Sequence, residues 1–368
     1  MAFFTSSRCS LLLLLALFAL SNVSAFRVAP PVVKHYQKRS LTQLRSSNSN
    51  DDDTTPLIVP EIVLDEGAEV VRARESQSSF YRTATWLYGA TTFDSLSCAA
   101  RIGGTPATAM ATSVPSAALA LAAVSVHTLK SASDSSRLNS DTYKRLNLSL
   151  MAYSLFNVVS GLASFKTLTP MKSSQCAVHV YSVFVCLTGW LKGARGLNPE
   201  ASASAPTIAS LAASELFTGF KNTLSTLSTA SKSLSSLPYT LGAAGAFLMF
   251  LHDVILMGVQ ANKAALPAAK VVTRCASAAI SSIFFGTLVT LADACNRKRN
   301  NGTTFVYLNG AASLSAMSVL LASLLNSASL NGRVKATAAL AFSVCAVAFN
   351  NCRKNLPEEF WEGKKNAS

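Results

Sequence analysis

Residues 237–259, LPYTLGAAGAFLMFLHDVILMGV, decide how this chain is read. As a helix this stretch is about 34 Å long, because each residue advances about 1.5 Å. The hydrocarbon core of a bilayer is about 30 Å thick, so the run is long enough to cross it. A barrel strand would be about half as long and would alternate apolar with polar residues, which this run does not. Its small residues, Gly242-Ala243-Ala244-Gly245, allow a neighbouring helix backbone to come close, as helices do in lipid.

The pattern recurs on both sides. Charged residues are absent between Arg101 and Lys130, and over 146–165, 173–191, 275–292, 300–332 and 336–352. An eighth run, 83–100 (TATWLYGATTFDSLSCAA), carries Asp94. The expected fold is all-α, a polytopic transmembrane helix bundle of about eight spans, with seven as the alternative if 83–100 does not cross. Composition agrees: of 368 residues 50% are apolar and 14% charged, where a soluble domain carries about a quarter. Mean hydropathy is +0.33. A soluble alanine-rich bundle is excluded, because six uncharged runs of 17 to 33 residues leave no polar face for water.

The net charge of +14 comes from 32 Lys and Arg against 18 Asp and Glu. In a soluble protein that excess would suggest nucleic acid. Here the bases sit singly or in small groups between apolar runs, as loops do, so the expected partner is the lipid bilayer, with a membrane-protein complex or a homo-oligomer beside it. Threaded through eight spans, the loop bases fall 18 on one side and 8 on the other. That asymmetry puts both ends of the membrane body on the side equivalent to the site of synthesis.

The amino terminus has the form of an address. Leu11 to Leu20, LLLLLALFAL, follows Arg8 and precedes Val23-Ser24-Ala25, giving a signal peptide over 1–25 with cleavage between Ala25 and Phe26. Residues 26–50 hold five bases and no acid, the bias of a transit peptide. Val23-Ser24-Ala25-Phe26-Arg27-Val28-Ala29-Pro30 resembles the cleavage motif of diatom and related algal plastid presequences, although Arg27-Val28 stands where that family usually has Ala-Pro. The resemblance implies import through the endoplasmic reticulum into a plastid membrane, either thylakoid or inner envelope. An ordinary secretory-pathway membrane is the alternative.

Eight of the 18 acids lie between Asn50 and Ser79, so 51–82 reads as an acidic flexible linker. Beyond it come a first membrane helix group (83–193), a linker (194–236), a second group (237–352) and a polar tail (353–368). In the linker, Leu211, Phe217, Phe220, Leu224 and Leu227 recur at helical spacing, which predicts an amphipathic helix that either lies on the membrane or packs on the bundle. The groups also resemble each other: at an offset of 162 residues, Thr128-Leu129, Arg137, Asn139, Thr142 and Leu146-Asn147 recur as Thr290-Leu291, Arg299, Asn301, Thr304 and Leu308-Asn309. A repeat of four spans returns the chain to the same side, so two such repeats would be parallel.

Residues able to carry chemistry are few. Ionisable groups at membrane depth are costly and are therefore functional candidates. His252 and Asp253 are the strongest, with Asp94 and His179 as possible partners along a transport path. Neighbours on a helix point about 100 degrees apart, so His252 and Asp253 each need another partner across the bundle. His127, His179 and His252 could also ligate a haem or chlorophyll, yet no spacing names a cofactor. The phosphate-binding, nucleophile-elbow and metalloprotease motifs of soluble enzymes are absent, which argues against an enzyme. Two functions lead: a small-solute or ion transporter or channel, and a non-catalytic protein that organises or assembles a membrane complex such as a photosynthetic one; a membrane-embedded enzyme is a distant third.

Overall fold

The computed structural model describes residues 68–101, 106–164, 170–195, 205–261, 268–325 and 332–355, and among them every regular element is an α-helix. The helices are α1 (Ala68–Arg101), α2 (Pro106–Asp134), α3 (Asp141–Ala163), α4 (Pro170–Arg195), α5 (Ala205–Ala230), α6 (Leu237–Ala261), α7 (Ala268–Asn296), α8 (Thr303–Leu325) and α9 (Gly332–Asn355). The cleavage pair Ala25–Phe26, the transit-like segment and the tail beyond Asn355 lie outside the described residues.

Among the described residues, five helices are long and apolar enough to cross a membrane: 141–163 of α3, 173–193 of α4, 237–259 of α6, 269–296 of α7 and 303–324 of α8. The expected spans at 83–100, 101–130 and 336–352 fall in α1, α2 and α9; α1 and α9 are long enough but more polar, whereas α2 is on average no less apolar than α3 and α4. Arg74, Glu75, Arg82 and Asp94 sit on α1, and Lys335, Arg353 and Lys354 sit on α9.

One boundary differs from the sequence expectation. Helix α1 starts at Ala68, so 68–82, assigned to the acidic linker, is its first four turns. The acid and base residues there hide a stripe at alternating spacings of four and three: Gln77, Tyr81, Ala84, Tyr88 and Thr91 are all buried.

The packing has two matching parts. Helix α1 lies along α2 and touches α4; α6 lies along α7 and touches α9. Helix α3 lies along α4, and α8 along α9. The parts meet through two extensive contacts, α3 with α7 and α2 with α8. Helix α5 packs mainly on α7, with Thr223 and Ala230 buried, so the amphipathic segment is attached to the bundle.

The turns before α3 and α8 match bond for bond. Arg137 N–H donates to Ala132 O at 2.8 Å, and Arg299 N–H donates to Ala294 O at 2.8 Å. Tyr143 and Lys144 N–H both donate to Ser140 O, as Phe305 and Val306 do to Gly302 O. Ser136 (φ 54°) and Lys298 (φ 55°), also 162 residues apart, are the described non-glycine residues in the left-handed region. Such a conformation is uncommon for these residue types and is held by the hydrogen bonds around it.

Two buried pairs join helices across the core. Tyr81 OH donates to Asn147 Oδ1 at 2.7 Å, and Tyr239 OH donates to Asn309 Oδ1 at 2.5 Å. Asn351 Nδ2 adds a donor to Tyr239 OH at 2.9 Å. At the corresponding place in α4 stands Gly189, where an added Cβ would collide with Tyr81 OH. Helix contact is equally close at Gly286 of α7, whose Cβ would run into Ser149 Oγ of α3. Hydrogen bonds between membrane helices contribute roughly 0.6–2 kcal/mol each. Asn147→Leu and Asn309→Leu should therefore each cost about 1 kcal/mol, and Gly286→Leu considerably more, because backbone has to move. Thermal unfolding in detergent tests this ranking; a Gly286→Leu chain that melts with the parent would show that α3 and α7 do not meet this closely.

Candidate functional site

The four polar residues expected from sequence are in different places. Asp94 is exposed on α1. His179 of α4 is 5% exposed, with its ring edge-on to Tyr88 and Tyr153 at centroid separations of 5.7 and 5.3 Å. Its Nδ1 lies 3.4 Å from Tyr88 OH, which also meets Ser154 Oγ at 2.7 Å. Polar groups here satisfy one another inside a tight aromatic cluster, an arrangement that fixes packing.

His252 and Asp253 separate as their helical positions require. Asp253 is 2% exposed, whereas His252 faces outward. Their side chains approach to 3.4 Å, but the main partner of Asp253 is Arg274 of α7, whose Nη1 donates to Oδ1 at 2.7 Å. Arg274 directly precedes the uncharged run 275–292, as a loop base would, yet it lies two turns inside α7. None of the four residues lines either of the two cavities described below.

The polar centre that sequence reasoning missed is at the start of α3. Asp141, Lys144 and Arg145 occupy its first turn or two, and the two bases are each 7% exposed. Lys144 Nζ donates to Glu215 Oε2 of α5 at 2.7 Å and lies 3.4 Å from Asp141 Oδ1. Asn222 Nδ2 of α5 donates to Asp141 Oδ2 at 3.0 Å. On α7, Asp293 accepts from Thr142 Oγ1 and from Arg297 Nε, both at 2.8 Å. The remaining donors are those of Arg145: its Nη2 is 4.0 Å from Asp141, and its Nε and Nη1 are buried without a hydrogen-bond partner. The signal was present in sequence as acid–base pairs four apart, Asp141 with Arg145 and Asp293 with Arg297, a spacing that joins side chains on one helix face.

Two cavities accompany these groups. One, of about 340 Å³, reaches from Lys144 and Arg145 to Ala152, Phe250 and Phe285 and is roofed by Leu216 and Phe220 of α5. The other, of about 350 Å³, lies among α6, α7, α8 and α9 and is almost wholly apolar, with Gly242, Gly245 and Leu340 in its walls. No group of three or more His, Cys, Asp or Glu side chains among the described residues could hold a metal.

Fold and site define an all-helical protein whose apolar helices suit a lipid bilayer. Comparison with known proteins finds no family model, no curated relative and no solved structure that matches the chain.

The Asp253–Arg274 pair can be tested directly. Removing one partner of a buried ion pair strands the other, at about 3–5 kcal/mol when both are enclosed. Arg274→Leu should cost about 2 kcal/mol, since the arginine is partly exposed, and adding Asp253→Asn should restore most of the loss. Equal melting temperatures for the single and double variants would show that the two charges are uncoupled.

Proposed function

We propose that the chain is an eight-span membrane protein of two parallel four-helix halves, and that it organises or assembles a membrane-protein complex without catalysing a reaction. The count rests on the packing scheme: α1, α2 and α9 take the places that α6, α7 and α4 take in the other part, and those three are each apolar enough to cross. The matched turns, the left-handed residues Ser136 and Lys298, and the two Tyr–Asn pairs support a duplicated unit.

One observation carries the non-transport function: Asp94, His179 and the adjacent pair His252–Asp253 occupy three separate places away from both cavities, in local contacts or at the surface. Helix α5 meanwhile turns apolar side chains outward, with Phe217 and Leu224 exposed, a face suited to lipid or to a neighbouring membrane protein. Transport of a small solute or ion is the second possibility, and it draws on Asp253, a buried carboxylate within a bilayer-length helix. The address of the chain, on the strength of Val23-Ser24-Ala25-Phe26, is a plastid membrane reached through the endoplasmic reticulum.

Single cysteines at 179 and 253 in a cysteine-free chain should resist a membrane-impermeant maleimide. Rapid labelling of both would favour a wet path and transport. A fluorescent fusion should accumulate in the plastid; accumulation at the cell surface would refute the address.

A further inference from the structure

Arg145 stands out because its position does not require a charge. At the same register 162 residues later, after a turn with the same hydrogen bonds, Asp141, Lys144 and Arg145 are replaced by Thr303, Val306 and Tyr307. Helix α8 starts just as α3 does without a single ionic group, so the local fold explains neither base. Burying an arginine with unsatisfied donors is costly, and Nε and Nη1 of Arg145 are such donors. The residue also lines the 340 Å³ cavity, a volume at the low end for ligand sites.

The cavity is chemically two-ended. Lys144 and Arg145 lie at one end; Ala152, two turns along α3 and about 10 Å away, lies toward the other with Phe250 and Phe285. Glu215 and Asp141 already occupy Lys144, which leaves Arg145 as the group with donors to spare. A ligand that matches has a compact anion at one end and a hydrocarbon chain at the other.

We propose that this cavity binds an anionic lipid of the surrounding bilayer, with its headgroup on the guanidinium of Arg145 and the upper part of one acyl chain between α3, α6 and α7, under α5. The Nε–H and Nη1–H groups are enclosed and unpaired as they stand, and a turn of the guanidinium toward the cavity that Arg145 lines lets them donate to a headgroup oxygen, the charge-assisted type of hydrogen bond that is among the stronger ones in proteins. Leu216 and Phe220 of α5 cover the chain, which gives that helix a reason to sit on the bundle. The site rests on the chain being in a bilayer and is independent of the organising role.

Tryptophan quenching by brominated lipids reads this site. Trp190 lines the cavity and is 3% exposed, whereas Trp86 is 76% exposed on α1. The full chain carrying one tryptophan at a time is placed in phosphatidylcholine nanodiscs containing a minority of brominated phosphatidylglycerol or brominated phosphatidylcholine. Trp86 should be quenched by both, reporting bilayer insertion alone; no quenching of Trp86 would overturn the membrane placement itself. Trp190 should prefer the anionic lipid about tenfold in apparent affinity, the size expected for a hydrogen bond to a charged group. Arg145→Gln should abolish that preference, and Ala152→Phe, which fills the chain end and leaves the charges alone, should abolish Trp190 quenching by the anionic lipid. Equal quenching of Trp190 by both headgroups, or a preference that survives Arg145→Gln, overturns the assignment. Loss of the preference on adding soluble glycerol phosphate would assign the site to a water-soluble anion and equally overturn it.

Discussion

Helices that are apolar around most of their circumference gain little from burying apolar surface against one another in lipid, where the solvent is as greasy as they are. What holds them has to be close contact and a few hydrogen bonds. The hydrogen bonds reach from α1 to α3 and from α6 to α8 through long tyrosine side chains. Tyr81 reaches Asn147 because Gly189 leaves room for its hydroxyl, and Tyr239 reaches Asn309 with Asn351 as a third partner. The α3–α7 contact depends in the same way on Gly286 lying against Ser149.

Those contacts explain why the polar groups are where they are. His179 is enclosed by Tyr88 and Tyr153, and Asp253 is neutralised by Arg274. At the start of α3, buried charges gather from α3, α5 and α7, and one guanidinium has donors left over. Several neutral side chains, among them Ser125, Asn147 and Thr287, also keep an unpaired buried atom, but Arg145 is charged and lines a cavity, which makes its surroundings the natural place to look for a ligand.

Much of the architecture was legible because lipid imposes a simple pattern. Bases at the ends of uncharged runs mark α3, α4, α7 and α8, with ends up to eight residues from those of the spans, and the apolar run 237–259 marks α6 despite Asp253. The start of α1 was not legible, because Glu69, Arg72, Arg74 and Glu75 hide the stripe that includes Gln77, Tyr81 and Tyr88. Matching at a fixed offset of 162 finds Asn147 and Asn309 but not their tyrosines, which are 158 apart because both the helix after the tyrosine and the connection that follows are two residues longer in the second part. Lys144, Arg145 and Arg274 were counted as loop charges, since sequence does not show that a base near a helix end is folded inward onto an acid from another helix.

The central claim is that two equivalent four-helix units lie parallel in one membrane. Sided labelling of single cysteines at Ser136 and Lys298, the left-handed residues of the matched turns, tests it most directly in sealed vesicles. Parallel units predict that an impermeant reagent reaches both positions from the same face. Labelling from opposite faces would contradict the account.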